Sequence, residues 1–200
     1  LPPELRPADP SLRHNSLGMT ETCGPHTWDD MRVDLPESLR GSFGKAVQLR
    51  PGFAPAHNNL GVALKDLGRL QEAAASFSKA VQLKPDFAEA YNNLGIALKN
   101  QGRLEEAVAS FGKAVQIKPG YAEAHNSLGT ALQGQGRLDE AIASYDKALL
   151  IKPELAEAFN NRGAALKDRG RLEEAIASFG TALRLKPDYS EAHNNLGLAL

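Results

Sequence analysis

The chain has 200 residues, 42% of them hydrophobic and 24% charged, and a formal net charge of −1. With 23 Lys+Arg against 24 Asp+Glu it carries no excess positive charge for a phosphate backbone or an anionic membrane surface, so neither nucleic acid nor membrane is an expected partner. A single cysteine, Cys23, excludes an intrachain disulfide and any zinc site built on two cysteine ligands.

From the N-terminus, residues 1–36 hold six of the twelve prolines, the only Trp (Trp28), and both methionines, Met19 and Met31. Two readings stay open for them. One is a diverged cap that lays Trp28 and Met31 over Phe43; the other, preferred, is an irregular or disordered leader. No apolar run approaches the ~18 residues of a spanning helix, and Leu1-Pro-Pro-Glu-Leu-Arg-Pro has no apolar signal core. Cytoplasmic localisation in a reducing compartment is therefore expected.

Residues 37–50 read as a helix, because Ser42-Phe43-Gly44-Lys45-Ala46-Val47-Gln48-Leu49-Arg50-Pro51 nearly repeats Ser110 to Pro119. It is the second helix of a degenerate repeat. The partner first helix would fall near 20–33, where Cys23, His26, Thr27 and Asp30 do not suit the positions that packing demands.

Pro51, Pro85, Pro119, Pro153 and Pro187 follow at intervals of 34. Between them Phe87-Ala-Glu-Ala-Tyr-Asn-Asn-Leu-Gly95 recurs with small changes, starting at residues 53, 121, 155 and 189. Apolar residues sit at helical spacing in two segments per unit: Tyr91, Leu94, Ala97 and Leu98, then Ala107, Val108, Phe111, Ala114 and Val115. Gly102 lies just past the first helix, where a left-handed residue is cheapest in Gly, and Pro119 cannot continue the second. Glu105 and Glu106 open the second helix while Lys113 and Lys118 close it, matching the helix dipole.

This unit resembles the tetratricopeptide repeat, a 34-residue helix-turn-helix. Tyr91 stands at the family's large position, Leu94-Gly95 at its Leu-Gly pair, Ala107 at the small position of the second helix, Phe111 at its aromatic, then Ala114 and Pro119. The resemblance implies an all-α, right-handed superhelical solenoid of antiparallel helix pairs. Full repeats are expected at 54–87, 88–121, 122–155 and 156–189, with a first helix alone at 190–200. Arg162 departs from the Leu that other copies place there; its stem is expected to pack and its head to reach solvent.

Catalysis finds little support. His57, His125 and His193 share one repeat position with Tyr91 and Phe159, so the slot takes any flat ring, and histidines two repeats (~20 Å) apart cannot share a metal. The pairs Glu105-Glu106, Asp139-Glu140 and Glu173-Glu174 are explained by the helix dipole, and no phosphate-binding glycine loop occurs. No catalytic residue, metal or cofactor is expected.

What packing leaves unexplained is a stripe on the first helices. Counting the Ala of Ala-Glu-Ala as position one, the core takes positions three, four, seven, ten and eleven, and the opposite stripe holds positions two, six, nine and thirteen: Glu89, Asn93, Ile96 and Asn100 in one repeat. Position six reads Asn59, Asn93, Ser127, Asn161, Asn195; position five, at the stripe's edge, reads Asn58, Asn92, Asn126, Asn160, Asn194. A carboxamide offers a donor and an acceptor and can pair with one peptide unit of an extended chain. In tetratricopeptide proteins this stripe lines the concave groove. Similar ladders mark the repeats of O-linked N-acetylglucosamine transferases, where they hold extended substrates, and Ile176 to Pro187 looks like repeats of that family. A merely solvated face is the alternative. The family's carboxylate-clamping groove is opposed by position two, where Glu89, Glu123, Glu157 and Glu191 follow Pro55 and would repel a C-terminal carboxylate.

The function expected is a non-catalytic scaffold that binds an extended, neutral or basic protein segment in the groove. One alternative is the docking arm of a larger enzyme, a protein O-glycosyltransferase, whose catalytic domain lies beyond Leu200. Another is a spacer that stacks end to end through the uncovered Leu196 and Leu200 of its last helix.

Overall fold

The computed structural model describes residues 13–14, 20–21 and 37–200, with side chains from residue 41 onward. The chain divides into two units, Leu1–Asp34 and Leu35–Leu200. In the first, β1 (Arg13–His14) pairs antiparallel with β2 (Thr20–Glu21), Arg13 opposite Glu21. The rest of the leader, including residues 22–33 of the segment near 20–33 and the cap residues Trp28 and Met31, lies outside the described residues.

The second unit is all-helical. Its helices are α1 (Glu37–Leu49), α2 (Ala54–Asp66), α3 (Leu70–Leu83), α4 (Ala88–Asn100) and α5 (Leu104–Ile117). They continue as α6 (Ala122–Gly134), α7 (Leu138–Ile151), α8 (Ala156–Asp168), α9 (Leu172–Leu185) and α10 (Ser190–Gly197). The first helices α2, α4, α6 and α8 each end in a Schellman turn. At Gly102 (φ 77°), the glycine N–H bonds Lys99 O at 2.9 Å and the Arg103 N–H bonds Leu98 O at 3.0 Å. No atom crowds this glycine, so its backbone angle is what demands the residue.

Within a repeat the two helices cross at a glycine. A Cβ on Gly95 would stand 2.6 Å from Phe111 Cε1, so the absence of a side chain there lets the Phe111 ring seat itself against the α4 backbone. Gly61 and Phe77, Gly129 and Tyr145, and Gly163 and Phe179 repeat the arrangement, and all four rings are fully buried.

Between repeats, each second helix packs on the next first helix: α3 on α4, α5 on α6, α7 on α8 and α9 on α10. First helices also meet the first helix of the next repeat, α2 with α4, α4 with α6, α6 with α8 and α8 with α10. Among the described residues no such contact joins successive second helices. The first helices are therefore the more closely spaced row, and the array curves toward them. This is a helical solenoid of antiparallel pairs, as the sequence pattern predicts.

Candidate functional site

On the concave row, position-six side chains Asn59, Asn93, Ser127, Asn161 and Asn195 are half-buried. Position five differs from the expected groove edge. Asn92, Asn126 and Asn160 are buried, Asn58 is half-buried and only Asn194 is exposed. The physical reason is the contact between successive first helices, which closes over position five.

The two columns bond to each other across the repeats. Asn93 Nδ2 donates to Asn58 Oδ1 at 3.0 Å, Asn161 Nδ2 to Asn126 Oδ1 at 3.1 Å and Asn195 Nδ2 to Asn160 Oδ1 at 2.9 Å. Position five in turn donates to position two of the next repeat: Asn126 Nδ2 to Glu157 Oε1 at 3.1 Å and Asn160 Nδ2 to Glu191 Oε1 at 3.2 Å. The asparagines thus form a seam that holds neighbouring repeats in register, and one donor of each bonded position-six amide is engaged in it. Among the described residues no donor of the chain reaches Oδ1 of Asn93, Asn161 or Asn195.

One rung of the seam is missing. Ser127 stands where Asn93, Asn161 and Asn195 donate, its side chain is too short to cross, and Asn92 Oδ1 is left buried with no hydrogen-bond partner. A buried oxygen in this state costs about 1–3 kcal/mol.

The position-two glutamates divide into two kinds. Glu89 accepts from Lys118 Nζ at 3.0 Å and Glu123 from Lys152 Nζ at 2.8 Å. Burial alone would raise both carboxyls, but the lysine hydrogen bond, a backbone amide and the ammonium charge outweigh it, and both are held below the ordinary carboxylate range. Glu157 and Glu191, among the described residues, have no lysine or arginine within ion-pair distance. Uncompensated negative charge lies toward α8 and α10.

The histidine slot is structural. His57, His125 and His193 each direct Nε2 at the carbonyl of the proline six residues earlier, Pro51, Pro119 and Pro187, at 2.9, 3.1 and 2.9 Å. His125 Nδ1 is buried without a partner, and burial, with Lys147 nearby, lowers its pKa. Burial likewise pushes the Tyr145 hydroxyl up to about 12. That hydroxyl donates to Gln133 Oε1 at 3.1 Å. Among the described residues no cluster of His, Cys, Asp or Glu is placed to hold a metal ion.

Arg162 does not simply reach for solvent. Nε meets Asp146 Oδ1 at 2.6 Å on α7 and Nη1 meets Ser178 Oγ at 2.7 Å on α9, so the guanidinium spans a repeat boundary. Sequence reasoning missed this partner. The signal was present: Asp146 stands where the other copies have Ser78, Gly112 and Gly180, so two departures from the repeat face each other. Of the two leucines expected to lie uncovered, Leu200 is exposed, while Leu196 is half-buried against the α7–α9 core.

Paired helices stacked at a 34-residue period, with a glycine-aromatic crossing in each pair, define a helical-repeat array. The family comparison makes the class specific. The TPR repeat model matches residues 63–102 and 164–200, and the tetratricopeptide repeat model matches 86–154. This chain is a tetratricopeptide-repeat protein over these segments. Comparison with curated proteins gives no match. Among solved structures, a crystal structure of MamA is 27% identical with TM-score 0.70, covering 80% of this chain and 98% of that one. A second MamA crystal structure is 29% identical with TM-score 0.67, covering 76% and 84%. MamA residues 41 to the end from Desulfovibrio magneticus RS-1, at 22% identity and TM-score 0.70 over 78% and 88%, share the fold. In all, 428 solved chains match, so the fold is a shared platform and the partner must be argued from this chain's own surface.

The repeats make the chain a protein-interaction scaffold. Among the described residues no helix is long and apolar enough to cross a membrane.

Proposed function

We propose that the concave face of α2, α4, α6, α8 and α10 binds an extended segment of another protein. The observation that carries this reading is the row of half-buried position-six side chains whose asparagine oxygens no donor among the described residues engages. Rungs ~10 Å apart meet a strand rising ~3.3 Å per residue at about every third residue. An acceptor row selects backbone N–H groups and basic side chains. The segment is neutral where it passes α4 and α6, whose glutamates are already held by lysines, and basic where it passes Glu157 and Glu191.

The test is fluorescence polarisation against an array of 12-residue extended peptides, neutral and basic, followed by the double substitution Asn93→Ala with Asn161→Ala. Both side chains also make seam bonds, so circular dichroism must first show an intact helical array. Binding that falls at least tenfold supports the groove; binding unchanged in a folded variant removes it.

A further inference from the structure

We infer that Asn92 is the point at which the groove takes hold of a single backbone N–H of an extended peptide, and that Ser127 creates this point by leaving Asn92 Oδ1 without its partner. The inference rests on the groove reading above and deepens it.

At the other first-helix junctions, between α2 and α4, α6 and α8, and α8 and α10, the position-five oxygen accepts from the next repeat at 3.0, 3.1 and 2.9 Å. These oxygens are already committed to the seam. Between α4 and α6 the donor is Ser127, one bond too short, and Asn92 Oδ1 stays buried and unpartnered. Asn92 is 4% exposed, whereas Ser127 and Asn93, which border it on the concave side, are half-buried and open to the groove. The last torsion of an asparagine is broad, so its carboxamide turns toward the notch without breaking any bond at that oxygen.

The chemistry of the notch selects its occupant. A cation brought against a side chain this deep would lose its hydration, and the nearby carboxylates Glu89 and Glu123 are already matched by Lys118 and Lys152. A peptide N–H carries no net charge, is obliged to find an acceptor when bound, and relieves the unpaired oxygen as it does so. The oxygens of Asn58, Asn126 and Asn160 are taken and Asn194 is exposed to water, so among the described residues Asn92 offers the one buried, unpaired position-five oxygen that can read an N–H of the bound segment and set its register along the solenoid.

The test uses the full chain and one peptide selected from the array, with each backbone N–H replaced in turn by N-methyl. In the unsubstituted protein, one position of this scan is expected to lose about tenfold more affinity than the rest. Ser127→Asn supplies the missing seam donor. It is expected to raise the melting temperature, lower peptide affinity about tenfold and abolish the sensitive position. Adding Asn161→Ser to Ser127→Asn moves the notch to Asn126, and the sensitive position is expected to move about three residues along the peptide. If the unsubstituted protein binds but Ser127→Asn binds equally well, or the scan is flat, the Asn92 inference is overturned and the groove reading stands. If no peptide in the array binds, both are overturned.

Discussion

The α4/α6 and α6/α8 junctions are made from nearly the same residues and behave differently. At α6/α8, Asn161 bonds Asn126, Asn126 bonds Glu157, and Arg162 ties Asp146 to Ser178, so the boundary is closed by polar contacts from concave side to second helices. At α4/α6 those side chains are Ser127, Asn92, Leu128 and Gly112, and the boundary rests on apolar packing with one oxygen unpaired. A repeat backbone is thus a constant frame. Differences between its junctions are written in pairs of side chains that face each other 16 to 35 residues apart.

The largest effects serve as the control on this contrast, because they act inside repeats. Phe111→Ala and Phe179→Ala each remove a fully buried ring and are expected to cost about 3–5 kcal/mol in urea unfolding. Costs differing by more than about 2 kcal/mol would move the asymmetry from the junctions into the repeats.

Next comes the charged clamp. Asp146→Ala strips Arg162 of its carboxylate while its side chain is only 23% exposed, an expected loss of about 1–3 kcal/mol. Asp146→Gly with Arg162→Leu restores the pattern of the other copies. It is expected to be neutral or stabilising, since apolar packing replaces a partly buried ion pair without penalty. A double variant less stable than Asp146→Ala alone would show that the clamp cannot be traded for packing.

Ser127→Asn tests the contrast from the other side. Completing the seam at α4/α6 is expected to add about 0.5–1.5 kcal/mol, seen as a higher melting temperature with unchanged circular dichroism. No gain would mean that Asn92 is not held apart by the short serine.

The smallest effect is protonic. His125 is favoured in its neutral form in the fold, so stability is complete above the unfolded histidine value of ~6.5 and declines as pH falls through it. His125→Phe, the residue Phe159 places in the same slot, should flatten stability between pH 7.5 and 5.5. A slope unchanged by the substitution would remove His125 as its source, because Glu89 and Glu123, with lowered carboxyls, lose their contribution only at more acid pH.

The architecture was legible because its causes are local and repeated: the left-handed Gly102, the Gly95–Phe111 crossing and the proline at each second-helix end are fixed by near neighbours in the chain. The site was legible in part. The helical wheel sets position six opposite the core, and its side chains are half-buried there. It puts position five at the edge, because a wheel describes one helix, whereas burial of Asn92, Asn126 and Asn160 arises from the next repeat's first helix. The Asn-to-Asn bonds span 35 residues, one more than the period, and no single repeat reveals them. The interruption at Ser127 was visible in the column, but its consequence for Asn92 required the junction.

The histidines have a mechanical corollary. His57, His125 and His193 fasten the corners entering α2, α6 and α10 to a proline carbonyl, whereas Tyr91 and Phe159 offer no such nitrogen at the corners entering α4 and α8. The histidine tie therefore alternates along the array, present and absent in turn, and this corner pattern has a period of two repeats rather than one. At the corner leading into α4, the helix that carries Asn92, the Lys84 ammonium lies 5.1 Å from the centre of the Phe87 ring, so that corner is tied by a cation on a ring and not by a histidine bond.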